Sequence, residues 1–218
     1  MKVRLTFTVP PLGTRPGNKQ VAEDFVITKH LKQHPEGENE RSIQEEIDAQ
    51  PVDEKVEDLS TYFSRDENGN PIMWNYQILG FLKEATLALI ESDQFTKEEL
   101  KKLRLTPYMY KRTLDSQIRI KSLSTKPRQI PILNPGSIEF NERPLRGQTL
   151  RGERISLARS EQIQEGASIE FEILSMNDKL WPWLEKCLDY GEWKGLGQWR
   201  NAGNGAFTWE NITQPIKD

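Results

Sequence analysis

The sequence predicts an α+β protein: an antiparallel sheet with helices packed on one face and a glycine-rich loop near the C-terminus. Two apolar stripes at helical spacing and three segments of apolar–polar alternation carry that reading. Their order along the chain is strand, long helix, several strands, helix, glycine loop, strand.

The first segment, "KVRLTFTV", places Val3, Leu5, Phe7 and Val9 on one face and Lys2, Arg4, Thr6 and Thr8 on the other. That is an amphipathic strand, and "PPLGTRPGNK" stops it. Between Glu36 and Glu67 there are 12 acidic residues against 3 basic ones. This stretch reads as an acidic surface insertion, at about residues 30–70, in a single domain spanning 1–218. It holds one helix, "ERSIQEEIDAQ", and closes with the turn "DENGNP". In "MWNYQILGFLKEATLALIESD", Ile78, Leu82, Ala85 and Leu89 recur at helical spacing, widened by Tyr76, Leu79 and Leu87. The spacing predicts a helix over about 76–91. Thr96 and Glu99 in "TKEEL" make a capping box for a second, short helix.

The charge then reverses, with 14 basic and 4 acidic residues from Lys101 to Arg159. "SQIRIKSL" and "RQIPIL" are strand-like, and "RPLRGQTLRGERISLARSEQI" reads as an arginine-rich hairpin. After the turn "EGAS", Ile169, Phe171 and Ile173 alternate with Glu170 and Glu172 in another strand. "SMNDKLWPWLEKCLDYG" is the second long helix, at about 178–190. Its stripe is Leu180, Trp183, Leu184, Cys187 and Leu188, with Pro182 in the first turn and Gly191 as C-cap. "AFTWENI" supplies a last strand, with Phe207 and Trp209 on one face.

Composition narrows the class. The 218 residues are 35% hydrophobic and 29% charged, and the net charge is −3. A lone cysteine excludes a disulfide framework and a cysteine-rich zinc site. The N-terminus has no apolar leader and no apolar run reaches membrane-span length, so the expectation is a protein of a reducing cytoplasm with no membrane partner.

The most unusual segment is "GLGQWRNAGNGAF". It spaces Gly195, Gly197, Gly203 and Gly205 as G-x-G-x5-G-x-G, between a helix and the last strand. In this context it resembles the signature of the RAMP (repeat-associated mysterious protein) superfamily of CRISPR RNA-binding and RNA-processing proteins. The resemblance covers about the last fifty residues, through "SIEFEIL", "DKLWPWLEKCL" and "AFTWENI". It implies a ferredoxin-like (RAMP/RRM-like) sheet, with the loop lying against it and touching RNA backbone. Over most of its length the chain also looks like a group of uncharacterised bacteriophage and prophage proteins. The shared segments are "LTFT", "RDENGNPIMWNYQILGFLKEA", "RPLRGQT" with "GERISLARSE", and "GLGQWRNAGNG". That likeness implies a phage-encoded protein acting in the host cytoplasm.

Chemistry selects the candidate ligand-binding residues. Glycine-rich backbone can form an anion-binding nest, Arg200 can fork onto phosphate, and Trp199 can stack on a base. Gln198, Asn201 and Asn204 add neutral hydrogen bonds suited to ribose or base edges. In the hairpin, Arg143, Arg146, Arg151 and Arg154 suit phosphate by their planar forks. Two plainer readings compete: Trp199 packing inward with Arg200 merely solvated, and hairpin arginines paired with the acidic insertion. "YMYKR" and "RIKSLSTKPR" are further basic segments that packing and solvation explain equally well. The only histidines, His30 and His34, have no third ligand near them in sequence, so no metal, cofactor or catalytic residue is expected. The function read from these residues is non-catalytic binding of RNA or a small (cyclic) nucleotide, with a host or phage protein complex as a further partner. The alternatives are an anti-defence protein that sequesters a nucleotide signal or blocks a host complex, and a metal-independent endoribonuclease.

Overall fold

The computed structural model describes residues 1–33, 40–49, 60–92, 95–149 and 152–213. Strand β1 (Lys2–Phe7) buries Val3, Leu5 and Phe7, as its period of two requires. Next come β2 (Arg15–Pro16), α1 (Lys19–Gln33), α2 (Glu40–Asp48), β3 (Ser60–Tyr62), β4 (Ser64–Arg65) and β5 (Pro71–Trp74). The middle of the chain forms α3 (Asn75–Glu91), α4 (Lys97–Leu103), α5 (Tyr110–Gln117), β6 (Ile118–Ser122) and β7 (Gln129–Leu133). The hairpin β8 (Glu139–Thr149) and β9 (Gly152–Gln162) follows, then β10 (Ser168–Ser175), α6 (Trp181–Asp189), α7 (Gly191–Lys194) and β11 (Phe207–Asn211).

The main sheet is antiparallel, in the order β11–β1–β10–β7–β5–β4, with β6 also paired to β10. Register follows the apolar pattern: Val3 lies opposite Phe171, and Leu5 lies between Ile169 and Trp209. The two long amphipathic helices supply the other half of the core. Ile78, Leu82, Ala85 and Leu89 of α3, and Trp183, Leu184, Cys187 and Leu188 of α6, are all buried in it. Each such large side chain contributes about 1.5–3 kcal/mol through burial. The fold is thus the α+β arrangement expected, with strands and helices in the predicted order. The Thr96–Glu99 capping box is also present, starting α4.

Three features depart from expectation, each for a physical reason. Helices α1 and α5 are not apparent from periodicity; in α1 Val21 and Ile27 face outward while Ala22 and Val26 are buried. Gly191 does not cap α6. It opens α7, and a Cβ there would lie 2.1 Å from the Phe207 ring, so its role is close packing. The acidic stretch is also woven into the structure. Glu46 of α2 is fully buried, 2.9 Å from Arg15 and 2.6 Å from Arg128, and both guanidinium groups lie against Trp74. Buried carboxylates need such partners, so charge rather than an apolar stripe ties α2 down.

Cys187 contacts Thr86 at 3.4 Å, and the Trp183 Nε1–H donates to the same hydroxyl at 3.0 Å. Burial pushes the Cys187 thiol up to about 12, with the Thr86 hydrogen bond opposing. Iodoacetamide at pH 8 should therefore leave Cys187 unmodified until the chain opens, because the thiolate is the nucleophile. Mass spectrometry across a urea series would show labelling tracking unfolding. Fast labelling of the native protein would contradict this burial.

The hairpin belongs to a second sheet, ordered β2–β3–β9–β8, in which β3 and β9 run parallel. Leu12 bridges to Gln162, and the Gly13 N–H donates to the Glu161 carbonyl, so the segment after β1 runs along β9. That segment is the floor on which the glycine loop rests.

Candidate nucleotide-binding site

The loop is held by backbone bonds to this floor. The Gly205 N–H donates to the Pro10 carbonyl at 3.2 Å, the Gln198 N–H to Leu12 at 3.3 Å, and the Leu196 N–H to Gly205 at 2.8 Å. Such tight layers demand glycine. A Cβ at Gly205 would lie 1.8 Å from the Leu196 carbonyl oxygen, one at Gly195 2.3 Å from Gly205, and one at Gly197 2.8 Å from Leu12. Three of the four glycines therefore serve the loop's approach to its own chain, whereas the sequence suggested approach to a ligand. At Gly203 a Cβ would meet nothing within 4 Å, and its φ of +85° alone favours glycine.

What the loop lifts above this floor is Trp199. Its φ is +55°, a left-handed conformation that bulky residues avoid, and 44% of its surface is exposed. Backbone strain of this kind, of order 1–3 kcal/mol, persists where surrounding structure imposes it and is concentrated at functional sites. Beneath the indole, 4.6 Å from its ring centre, lies the Arg143 guanidinium from β8. The loop and the hairpin, separate candidates in the sequence, thus meet at one place.

Arg143 is unlike the other buried or half-buried arginines. Arg15 and Arg128 pair with Glu46, Arg65 with Glu161, and Arg200 with Glu84. Arg143 is only 6% exposed, yet among the described residues no carboxylate reaches it. Its Nη1 donates to Ser160 Oγ at 3.1 Å, and its Nε is buried without an acceptor. Burial accordingly lowers its pKa, because nothing offsets the desolvation of its charge. From Ser160 the polar chain continues. Gln198 Oε1 accepts from Ser160 Oγ at 3.1 Å and from Thr61 Oγ1 at 2.8 Å. The result is a cation and a string of hydroxyl and amide groups beside a half-exposed aromatic ring, which can engage a phosphate, a ribose and a base together.

The remaining candidates lie elsewhere or in lesser roles. Arg200 donates to Glu84 of α3 at 2.5 Å, so its charge is already met. Asn201 accepts from the Lys194 ammonium at 2.5 Å, and the Asn204 amide donates to the Trp199 carbonyl at 3.2 Å; both brace the loop. Arg146 is exposed on the hairpin, Arg154 lies opposite Gly147 in its ladder, and Arg151 falls outside the described residues. The described carboxylates of the acidic stretch meet Arg15, Arg128 and Lys126, and none of them reaches Arg143. Tyr108 is exposed while Tyr110 is core, and Arg119 and Lys121 stand on the open face of the sheet. His30 lies in α1 and His34 outside the described residues. Among the described residues no cluster of three or more His, Cys, Asp or Glu could hold a metal, and no helix is long and apolar enough to cross a membrane. Thr61, Asn141 and Ser160 were not legible as site residues. The one available signal was the strand period of two, which sets Asn141 beside Arg143 on β8.

No family model matches the sequence, and no curated protein does. Among solved structures, similarity is found to a chain in the cryo-EM structure of the Type III-B Cmr-beta bound to cognate target RNA. The TM-score is 0.50 at 10% sequence identity, over 97% of this chain and 58% of that one. The present chain thus spans little more than half the length of that neighbour. At this identity the likeness is one of fold, an α+β arrangement of antiparallel sheet and packed helices.

Proposed function

We propose that this chain is a non-catalytic RNA-binding protein that holds a short, unpaired stretch of RNA where the glycine loop meets the hairpin. The observation that carries this reading is Arg143, a buried guanidinium that no carboxylate reaches among the described residues, set under the half-exposed indole of Trp199. A desolvated cation of this kind costs stability unless an anion compensates it. Phosphate would supply that anion, and Trp199 would stack the adjoining base. The fold neighbour's occurrence in an assembly bound to target RNA supports the choice of RNA, and supports a protein complex as the setting. The net charge of −3, with most inner arginines already paired, favours contact with a few nucleotides over a long track. The same compactness supports a second reading, capture of a small nucleotide signal by a phage-encoded anti-defence protein, whose viral origin rests on the sequence resemblance alone.

Trp199→Ala is expected to lower affinity for a short single-stranded RNA by about 1–3 kcal/mol, the worth of one stacked base. Fluorescence anisotropy would measure it. With one or two phosphates engaged, log affinity should fall against log salt with a slope of only about −0.7 to −1.4. A much steeper slope, or unchanged binding by Trp199→Ala, would move the RNA to another surface. Competition by cyclic dinucleotides at equal concentration would favour the second reading.

A further inference from the structure

Two polar atoms at this site are buried without a hydrogen-bond partner, and they are of opposite sense. Arg143 Nε is a donor and Asn141 Oδ1 an acceptor. Both side chains leave the same face of β8, two residues apart, and Ser160 lies opposite Asn141 in the ladder. The Trp199 ring lies over the Arg143 guanidinium, and Ser160 links it to Gln198. Among the described residues the other such side-chain atoms, on Arg15, Arg65 and Arg159, are all donors, so only here do an unpaired donor and an unpaired acceptor share a strand face, which suits a ligand group that both donates and accepts. Phosphate is an acceptor only, so it would answer Arg143 and leave Asn141 unpaired. A ribose 2′-hydroxyl both donates and accepts, and it is the group by which proteins tell RNA from DNA.

We infer that Asn141 and Arg143 together read the 2′-hydroxyl of the nucleotide whose base stacks on Trp199, so that the chain selects RNA over DNA of the same sequence. The inference rests on the RNA-binding reading above and adds sugar discrimination to it. The Arg143 Nε–H donates to the hydroxyl oxygen, and the hydroxyl O–H donates to Asn141 Oδ1. Deoxyribose leaves both protein groups unsatisfied, which is how a site built around a hydroxyl rejects an analogue lacking it.

The test is anisotropy titration of the full chain with one labelled single-stranded sequence of about ten nucleotides, made as RNA, as DNA and as 2′-O-methyl RNA. RNA should bind on the order of 10-fold tighter than DNA, the worth of a donor–acceptor pair of bonds to otherwise unpaired groups. The 2′-O-methyl form cannot donate to Asn141 and should bind more weakly than RNA. Asn141→Leu should narrow the RNA preference to about 3-fold, because Arg143 still donates to the hydroxyl, and the urea midpoint would verify its fold. Should that variant fail to fold, the wild-type comparison of the three sugars still decides. Equal wild-type affinity for RNA and DNA would overturn the inference and leave binding through Arg143 and Trp199 intact. An RNA preference undiminished by Asn141→Leu would overturn it too, because another group would then read the sugar. If no oligomer binds, both this inference and the RNA-binding reading fall.

Discussion

Arg143→Met should separate binding from stability. RNA affinity is expected to fall by about 2 kcal/mol, roughly 30-fold, as loss of a charge-assisted contact does. Stability, in contrast, should move by less than about 1 kcal/mol in either direction. Methionine keeps most of the volume and removes a buried charge that no carboxylate offsets among the described residues. It forfeits the stacking on Trp199 and one hydrogen bond to Ser160, while Ser160 keeps its bond to Gln198. Urea denaturation and RNA titration of the same preparation would measure both effects. A stability loss of several kcal/mol with unchanged binding would make Arg143 a structural residue and remove the basis of the proposed function. Sites that bind often hold groups that folding alone would reject, and Arg143 fits that description.

Gly205→Ala should be the most damaging single-methyl change in the loop. The new Cβ would lie 1.8 Å from the Leu196 carbonyl oxygen and would impose a φ of +74° on a residue that avoids it. The obstacle is backbone, and the Leu196 N–H is itself bonded to the Gly205 carbonyl, so neither strand of the loop can yield alone. A loss of about 4 kcal/mol or more is expected, in the range reserved for steric failure at a special backbone position. Gly203→Ala is the matched control. It has a similar φ of +85° but open space around the new methyl, so its cost should be only about 1–2 kcal/mol. Equal effects at the two positions would show that the loop does not depend on close internal packing. The comparison also separates the two readings of the glycine signature. Glycines kept for a ligand would lower affinity with little change in the urea midpoint, whereas glycines kept for packing lower the midpoint itself.

The local elements were legible because their causes are local. The stripe Ile78, Leu82, Ala85 and Leu89, the alternation of Ile169, Phe171 and Ile173, and the Thr96–Glu99 box each depend on residues within a few positions. By the same reasoning α1 was hidden, because its outward Val21 and Ile27 break any apolar stripe. The glycine spacing marked a tightly layered loop, and of the candidates read from "GLGQWRNAGNG" it is Gln198 and Trp199 that meet residues of the hairpin.

Which charges remain available was decided by the tertiary structure alone. Arg200 is answered by Glu84, 116 positions away, and Gln198 by Thr61, 137 positions away. Arg15 and Arg128 converge on Glu46 from opposite directions in the chain. Arg143 is left with Ser160 and the Trp199 ring. Sequence spacing carries helix and strand periods, but ion pairing depends on distances of a few ångströms between segments far apart in the chain. The sequence by itself determined the longer strands, the two main helices and the loop, whereas the short β2, β3, β4 and β5 carry too few residues for a period of two to show. Only the packing of the loop onto the segment after β1, which runs along β9, brought Trp199 over Arg143, the inner arginine that no carboxylate reaches among the described residues, because that contact exists only once both sheets are assembled.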